Sequence, residues 1–226
     1  MSIELLLVVT ALGALVGLDV VSFPQMMFSR PLVAATLGGL AVGDMDAGLT
    51  IGVVLELVAL DTLPVGASRY PEWGSASVAA GALCALAGGG AAAVALVATA
   101  AVATAWVGGW SMYLLRRANG VLARRQQPAL DAGTPAVVLR LQGLGIAADI
   151  ARAAGITAGA LILFAPLVRW LLPRWSLSDD VTSAALLALL IALAAGTVWR
   201  LVRGTSGASW LALAGLGAAV LVLVVR

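Results

Sequence analysis

The stretch RPLVAATLGGLAVGDMDAGLTIGVVLELVAL, Arg30–Leu60, decides how the chain is read. It is apolar for 13 residues from Pro31 to Gly43, breaks at Gly43-Asp-Met-Asp-Ala-Gly48, and is apolar again for 14 from Ala47 to Leu60. As a helix each piece would be only about 20 Å long, against about 30 Å of hydrocarbon in a bilayer. Two half-length apolar helices joined by a Gly/Asp turn predict a re-entrant hairpin, with irregular backbone buried in protein or lining a cavity. Pro31 suits the first helical turn, with the Ser29 hydroxyl as cap, and Asp46 is placed to cap the second half-helix.

Outward from this stretch the chain stays apolar. Of its 226 residues, 62% are hydrophobic and 11% charged, whereas a soluble domain is about 45–50% apolar and about 25% charged. The excess is spread over the whole length, so a signal peptide does not account for it. No alternating ten-residue segments argue for a barrel. The expected fold is an all-α integral membrane protein, a polytopic helical bundle with short, Gly-interrupted re-entrant segments near residues 31–60. Ile3–Val21, Ala91–Leu115, Ala153–Leu172, Val181–Val202 and Ala208–Val225 are each long enough to span. Leu139–Ile150, carrying Arg140, Gln142 and Asp149, reads as an interfacial or packed helix, and Ser75–Ala87 as a third short piece ending at Gly88-Gly-Gly90.

One membrane domain covers 1–226: residues 1–90 with the hairpin and the site, a spanning helix over 91–115, an Arg-rich loop over 116–136, and C-terminal helices over 137–226. Arg116, Arg117, Arg124 and Arg125 place that loop on the cytoplasmic side by the positive-inside rule. Four small-residue pairs, Gly13/Gly17, Gly39/Gly43, Gly48/Gly52 and Gly155/Gly159, permit close approach between helices.

The chemistry is bounded by absences. The 13 basic residues are all arginine, and there is no histidine to hold phosphate, a metal or a catalytic proton. Cys84 sits among Ala and Leu with no basic neighbour to activate it, so it reads as a core residue. The Asp44-Met-Asp46 turn lacks the later ligands of a calcium loop. No catalytic residue, metal or cofactor is expected, and the scattered arginines make no nucleic-acid patch. An enzyme acting on lipid head groups would have only Asp131 or Asp149 near the arginines as a base.

Two signals stand out. Glu56 lies inside an apolar helix, where a charge costs about 2.5–3.5 kcal/mol on insertion scales and marks a ligand path by default; an ion pair with Arg30 or Arg69 is the structural alternative. Beyond it, Asp61, Ser68, Arg69 and Glu72 supply donors and acceptors beside Tyr70 and Trp73. Hydroxyl-binding groups next to an aromatic face suit a sugar; an interfacial loop with belt aromatics is the alternative. Gln25, just before the hairpin, adds an amide that could meet a ligand hydroxyl or cap a helix end. Asp19, Asp149 and Arg152 read as ends of spans.

The segments Arg30–Asp44, Gly52–Leu60 and Val65–Val78, taken in order, resemble the IIC membrane component of the bacterial phosphotransferase system, in its mannose/fructose/sorbose group. Glu56 matches the motif glutamate of Leu-Glu-Leu-Val-Ala-Leu, Gly66, Ala67 and Pro71 match backbone positions, and Glu72 stands where the family has aspartate. Asp61, Arg69 and Ser29 depart from the pattern. The resemblance implies a multi-pass permease subunit of the bacterial inner membrane that moves a hexose-type sugar as it is phosphorylated. Its implied partners are a IID-like membrane subunit and soluble IIA and IIB phosphocarriers, and the assembly is expected to be oligomeric. The expected substrate-binding residues are Gln25, Glu56, Asp61, Ser68, Arg69, Tyr70 and Glu72. A non-transporting scaffold subunit and a small-solute transporter independent of phosphorylation are the rival readings.

Overall fold

The computed structural model describes residues 1–60, 62, 69–204, 206–207, 210–211, 213–215 and 217–218. Among these there is no strand. The helices are α1 (Ile3–Leu18), α2 (Pro31–Val42), α3 (Met45–Ala59), α4 (Trp73–Leu86), α5 (Ala91–Arg125), α6 (Gln127–Asp131), α7 (Pro135–Leu171) and α8 (Asp179–Val202), with a 3₁₀ turn at Leu172–Arg174 between the last two. The protein is an all-α membrane protein. Three of the described helical stretches are long and apolar enough to cross a bilayer: Ala91–Arg125, Pro135–Arg174 and Asp179–Arg200.

The half-length hairpin is present as α2 and α3. Pro31 opens α2, where its missing N–H costs nothing, and Gly43 closes it in the left-handed region at φ 96°. The Asp44 N–H then returns to the Gly39 carbonyl at 3.0 Å. Two expected caps differ. Asp44, not Asp46, caps α3, its carboxylate accepting from the Ala47 N–H at 3.0 Å; Asp46 falls inside the first turn, where a carboxylate still favours the helix dipole. At α2 the cap position is Arg30, which gives no side-chain bond, because Ser29 is drawn away to Asp19. Glu56 fills the gap from α3: its Oε2 accepts from the Leu32 N–H at 3.1 Å.

Helix α2 is held on two sides by backbone. A Cβ on Gly39 would lie 2.6 Å from the Gly48 Cα on α3, and one on Gly48 would lie 2.6 Å from the Ala35 carbonyl oxygen. On the other flank a Cβ on Gly38 would lie 2.1 Å from the Val78 carbonyl oxygen, and one on Gly81 of α4 1.9 Å from that of Ala35. Removing side chains lets dispersion contacts form between main chains, the packing that membrane helices favour where lipid offers no hydrophobic drive. The central element is α4: every residue from Trp73 to Cys84 is buried. It packs against α1, α2, α3, α5 and α7. Gly13 and Gly17 of α1 close on Thr157 of α7 and Ser75 of α4, whereas Gly155 and Gly159 have open space beside them.

Three boundaries move. Helix α1 stops at Leu18, because Asp19 turns its carboxylate to the following loop. The arginine segment expected as a loop continues α5 through Arg125; arginine is a good helix former, and cations near a C-terminus favour the dipole. Leu139–Ile150 is not a separate element but part of α7. Asp149 is paired in place, accepting from Arg152 Nε at 2.8 Å across one turn. The expected span at Ala208–Val225 lies largely outside the described residues.

If the α2–α4 contact is as tight as this, Gly81→Ala should cost about 1–3 kcal/mol through overpacking, while Gly155→Ala, with nothing within 4 Å, should be neutral. Thermal unfolding of the two purified variants in the same detergent measures the difference.

Candidate functional site

Where α2 begins, four elements meet: the α1–α2 loop, the two hairpin helices and the segment entering α4. Asp19, buried at the end of α1, organises the loop. Its Oδ1 accepts from the Met26 N–H at 2.7 Å, and its Oδ2 accepts from the Ser29 N–H and hydroxyl, both at 2.9 Å. Between these anchors Gln25 and Met27 take left-handed backbone, φ 59° and 65°, a conformation that persists in such residues only when surroundings impose it.

Beside this loop, Arg30 Nη2 pairs with Glu56 Oε1. The pair is partly open, with side-chain exposures of 38% for Arg30 and 21% for Glu56. Thus Glu56 makes a structural ion pair, caps α2 through Leu32, and is still partly exposed. Next to Arg30 is a small cavity of about 60 Å³, walled by Ser29, Thr62, Tyr70, Pro71 and Trp73 among others. Trp73 Nε1 donates to Thr62 Oγ1 at 3.2 Å, which fixes the indole at the cavity wall. Tyr70 is buried, with its hydroxyl accepting from Arg116 Nη2 of α5 and the same guanidinium 5.0 Å from its ring centroid.

Of the expected site residues, Glu56 and Tyr70 are therefore brought to one place through Arg30. Asp61 and Ser68 lie outside the described residues. Arg69 is exposed, its guanidinium 4.3 Å over the ring of Tyr113. Gln25 is exposed and donates from Nε2 to the Val21 carbonyl at 2.8 Å.

Glu72 is elsewhere. Its side chain is 0% exposed and its Oε1 accepts from the Ser75 N–H at 2.9 Å, making it the cap of α4. Its own N–H donates to the Ala105 carbonyl of α5 at 2.8 Å. Arg152 of α7 approaches Oε2 at 3.8 Å, an ion pair at long range. A Cβ on Gly108 would lie 3.1 Å from that oxygen, so glycine makes room for the carboxylate between α4 and α5. Asp149 continues the cluster, accepting from Arg152 and, at 2.6 Å, from the Ser22 hydroxyl. Sequence reasoning took Asp19, Asp149 and Arg152 for span ends. For Asp149 and Arg152 the signal was the Asp-x-x-Arg spacing inside an apolar run, which puts both on one helix face; Asp19 gave none.

Residues 2–177 match the family described as the PTS system sorbose-specific IIC component. The chain belongs to that family. The mannose-specific EIIC component of Escherichia coli (strain K12) is 43% identical over 54 residues, 24% of this chain and 20% of that protein. The fructose permease IIC component of Bacillus subtilis (strain 168) is 34% identical over 124 residues, 53% of this chain and 45% of that one. The matched stretch is thus less than half the length of either relative. Among solved structures, one described only as a membrane protein superposes with a TM-score of 0.75 at 20% identity, over 97% of this chain and 87% of the other. The mannose transporter ManYZ, in complex with microcin E492, gives 0.62 at 19% identity, over 100% and 96%. At these identities the likeness speaks for the fold alone.

In this IIC chain Glu72 and Arg152 hold α4 against α7. Glu72→Ala removes the cap of α4 and the more distant of the two carboxylates beside Arg152, which keeps its bond to Asp149, so it should cost about 1–2 kcal/mol. Glu72→Ala/Arg152→Ala should cost less than the two single changes summed, as a double-mutant cycle on thermal unfolding will read.

Proposed function

We propose that this chain is the permease subunit of a phosphotransferase-type transporter, a multi-pass protein of the bacterial inner membrane that binds and translocates a hexose or related sugar. The observation that carries the reading is the partly open Glu56–Arg30 pair, next to a cavity walled by Tyr70 and Trp73 at the mouth of a half-length hairpin. Short, interrupted apolar segments mark transporter binding sites near the bilayer midplane, and family membership agrees.

In this reading Glu56 accepts from sugar hydroxyls while Arg30 pairs with it and holds its orientation. Tyr70 and Trp73 offer apolar faces to the C–H side of the ring once the cavity, at about 60 Å³ well short of the about 300–1,000 Å³ of ligand sites, widens as the hairpin moves. Asp61 and Ser68, sequence neighbours of Thr62 and Arg69, complete the set of donors and acceptors, and Arg69 and Gln25 flank it. Glu72 serves as a positioning residue that seats Trp73 through the start of α4. Alternating access moves the hairpin group against the long helices. No bond chemistry falls to this chain: a IID-like membrane subunit and IIA- and IIB-like phosphocarriers supply the remainder of the assembly. The mannose, fructose and sorbose relatives make those three sugars the first to try.

Uptake of radiolabelled D-mannose, D-fructose and L-sorbose by cells expressing the chain with its partner subunits tests the reading. Losing a hydrogen bond to a charged acceptor costs about 1.5–3 kcal/mol, so Glu56→Gln should lower apparent affinity for the transported sugar by about 10–100-fold. Sugar binding that survives Glu56→Ala in a protein of normal thermal stability would point to a scaffold subunit.

A further inference from the structure

A second and larger cavity, about 390 Å³, opens between the later half of α5 and the opening third of α7. Its volume falls in the range of small-molecule sites, about 300–1,000 Å³. Arg116 and Asn119 reach it from α5, one turn apart; Gln142 and Asp149 reach it from α7, two turns apart, and Ser22 closes the end nearest α1. Between the two α7 residues is Gly145, where a Cβ would already lie 3.5 Å from the Asn119 amide nitrogen. The remaining wall is leucine, isoleucine, valine and methionine with some alanine.

The charges in this lining balance, one guanidinium against one carboxylate. Asn119 and Gln142 each carry both a donor and an acceptor, and the Ser22 hydroxyl, whose hydrogen goes to Asp149, adds an acceptor. A phosphate would gain Arg116 but meet the Asp149 carboxylate. A neutral polyol has hydroxyls that donate and accept at once, and it suits a lining of mixed donors and acceptors with apolar patches between them.

The two cavities are neighbours through shared residues. Tyr70 lines the smaller one and Arg116 the larger, and these two side chains are bonded to each other. Consecutive residues of the α1–α2 loop are divided in the same way, Val20 facing the hairpin cavity and Val21 and Ser22 the cleft. We propose that the α5–α7 cleft is a second binding station for the same neutral sugar, joined to the hairpin cavity by parting of the Tyr70–Arg116 contact. The proposal rests on the permease reading above and extends it from a site to a path with two stops.

Single cysteines in the full chain, with Cys84→Ala, provide the test. Each variant is purified and reconstituted, and alkylation by N-ethylmaleimide is timed with and without D-mannose, D-fructose or L-sorbose. Thr62→Cys reports the hairpin cavity, Asn119→Cys and Gln142→Cys the cleft, and Leu177→Cys, exposed in the bend before α8, is the control. The transported sugar, at about ten times its Kd, should slow labelling about tenfold at the three cavity positions and leave Leu177→Cys unchanged. Should Asn119→Cys fail to insert, Leu122→Cys reads the same wall. Protection at Thr62→Cys without protection in the cleft overturns the second station and leaves the permease reading standing. Protection at none of the positions overturns both. Protection of the cleft by sodium phosphate but not by sugar overturns it too, by making the site an anion site.

Discussion

Helix α2 touches α3 and α4 main chain to main chain, and the remaining architecture follows from that closeness. A half-length helix buries too little surface to hold its place by side-chain packing, and lipid gives it no hydrophobic push toward its neighbours. Gly38 and Gly81 on one flank, with Gly39 and Gly48 on the other, replace that missing drive with direct contact between backbones. Such contact has no slack, because main chain cannot repack as a leucine can. The hairpin and α4 therefore form one body, and α4, buried along its length, becomes the post against which α1, α5 and α7 are stacked.

Within that body the ionisable groups do backbone work first. Glu56 serves the bare N-terminus of α2, Asp44 that of α3 and Glu72 that of α4. A short helix exposes the same four unpaired N–H groups as a long one, so a fold built from short helices carries more of them at depth. Carboxylates gathered at those ends satisfy donors that would otherwise be stranded in hydrocarbon. Glu56 does this and stays partly open, the combination on which the proposed sugar contact rests.

The sequence made the half-helices legible because Gly-Asp punctuation is local: Gly43 needs left-handed backbone and Asp44 needs only the turn after it. The ionisable Glu56 was conspicuous against its apolar neighbours, and its pairing with Arg30 was one of the options the residues allowed. What could not be read was anything set by contact between distant segments. Nothing near Glu72 in sequence says that Arg152 will come beside it, 80 residues on. Nothing in Leu139–Ile150 says that the helix will run on, since the Asp149–Arg152 bond that shelters its polar groups exists only once the turn has formed. The larger cleft was hidden for the same reason, its lining being drawn from α5, α7 and the α1–α2 loop.

One small feature has mechanical weight. A single carboxylate, Asp19, holds three donors of the loop ahead of the hairpin, and two residues inside that loop sit in left-handed backbone. A tether fastened so close to both ends cannot stretch. In the proposed alternating access, rocking of the hairpin body would carry the first helix along as ballast, and the close contact of α1 with α7, Gly13 against Thr157, would have to give.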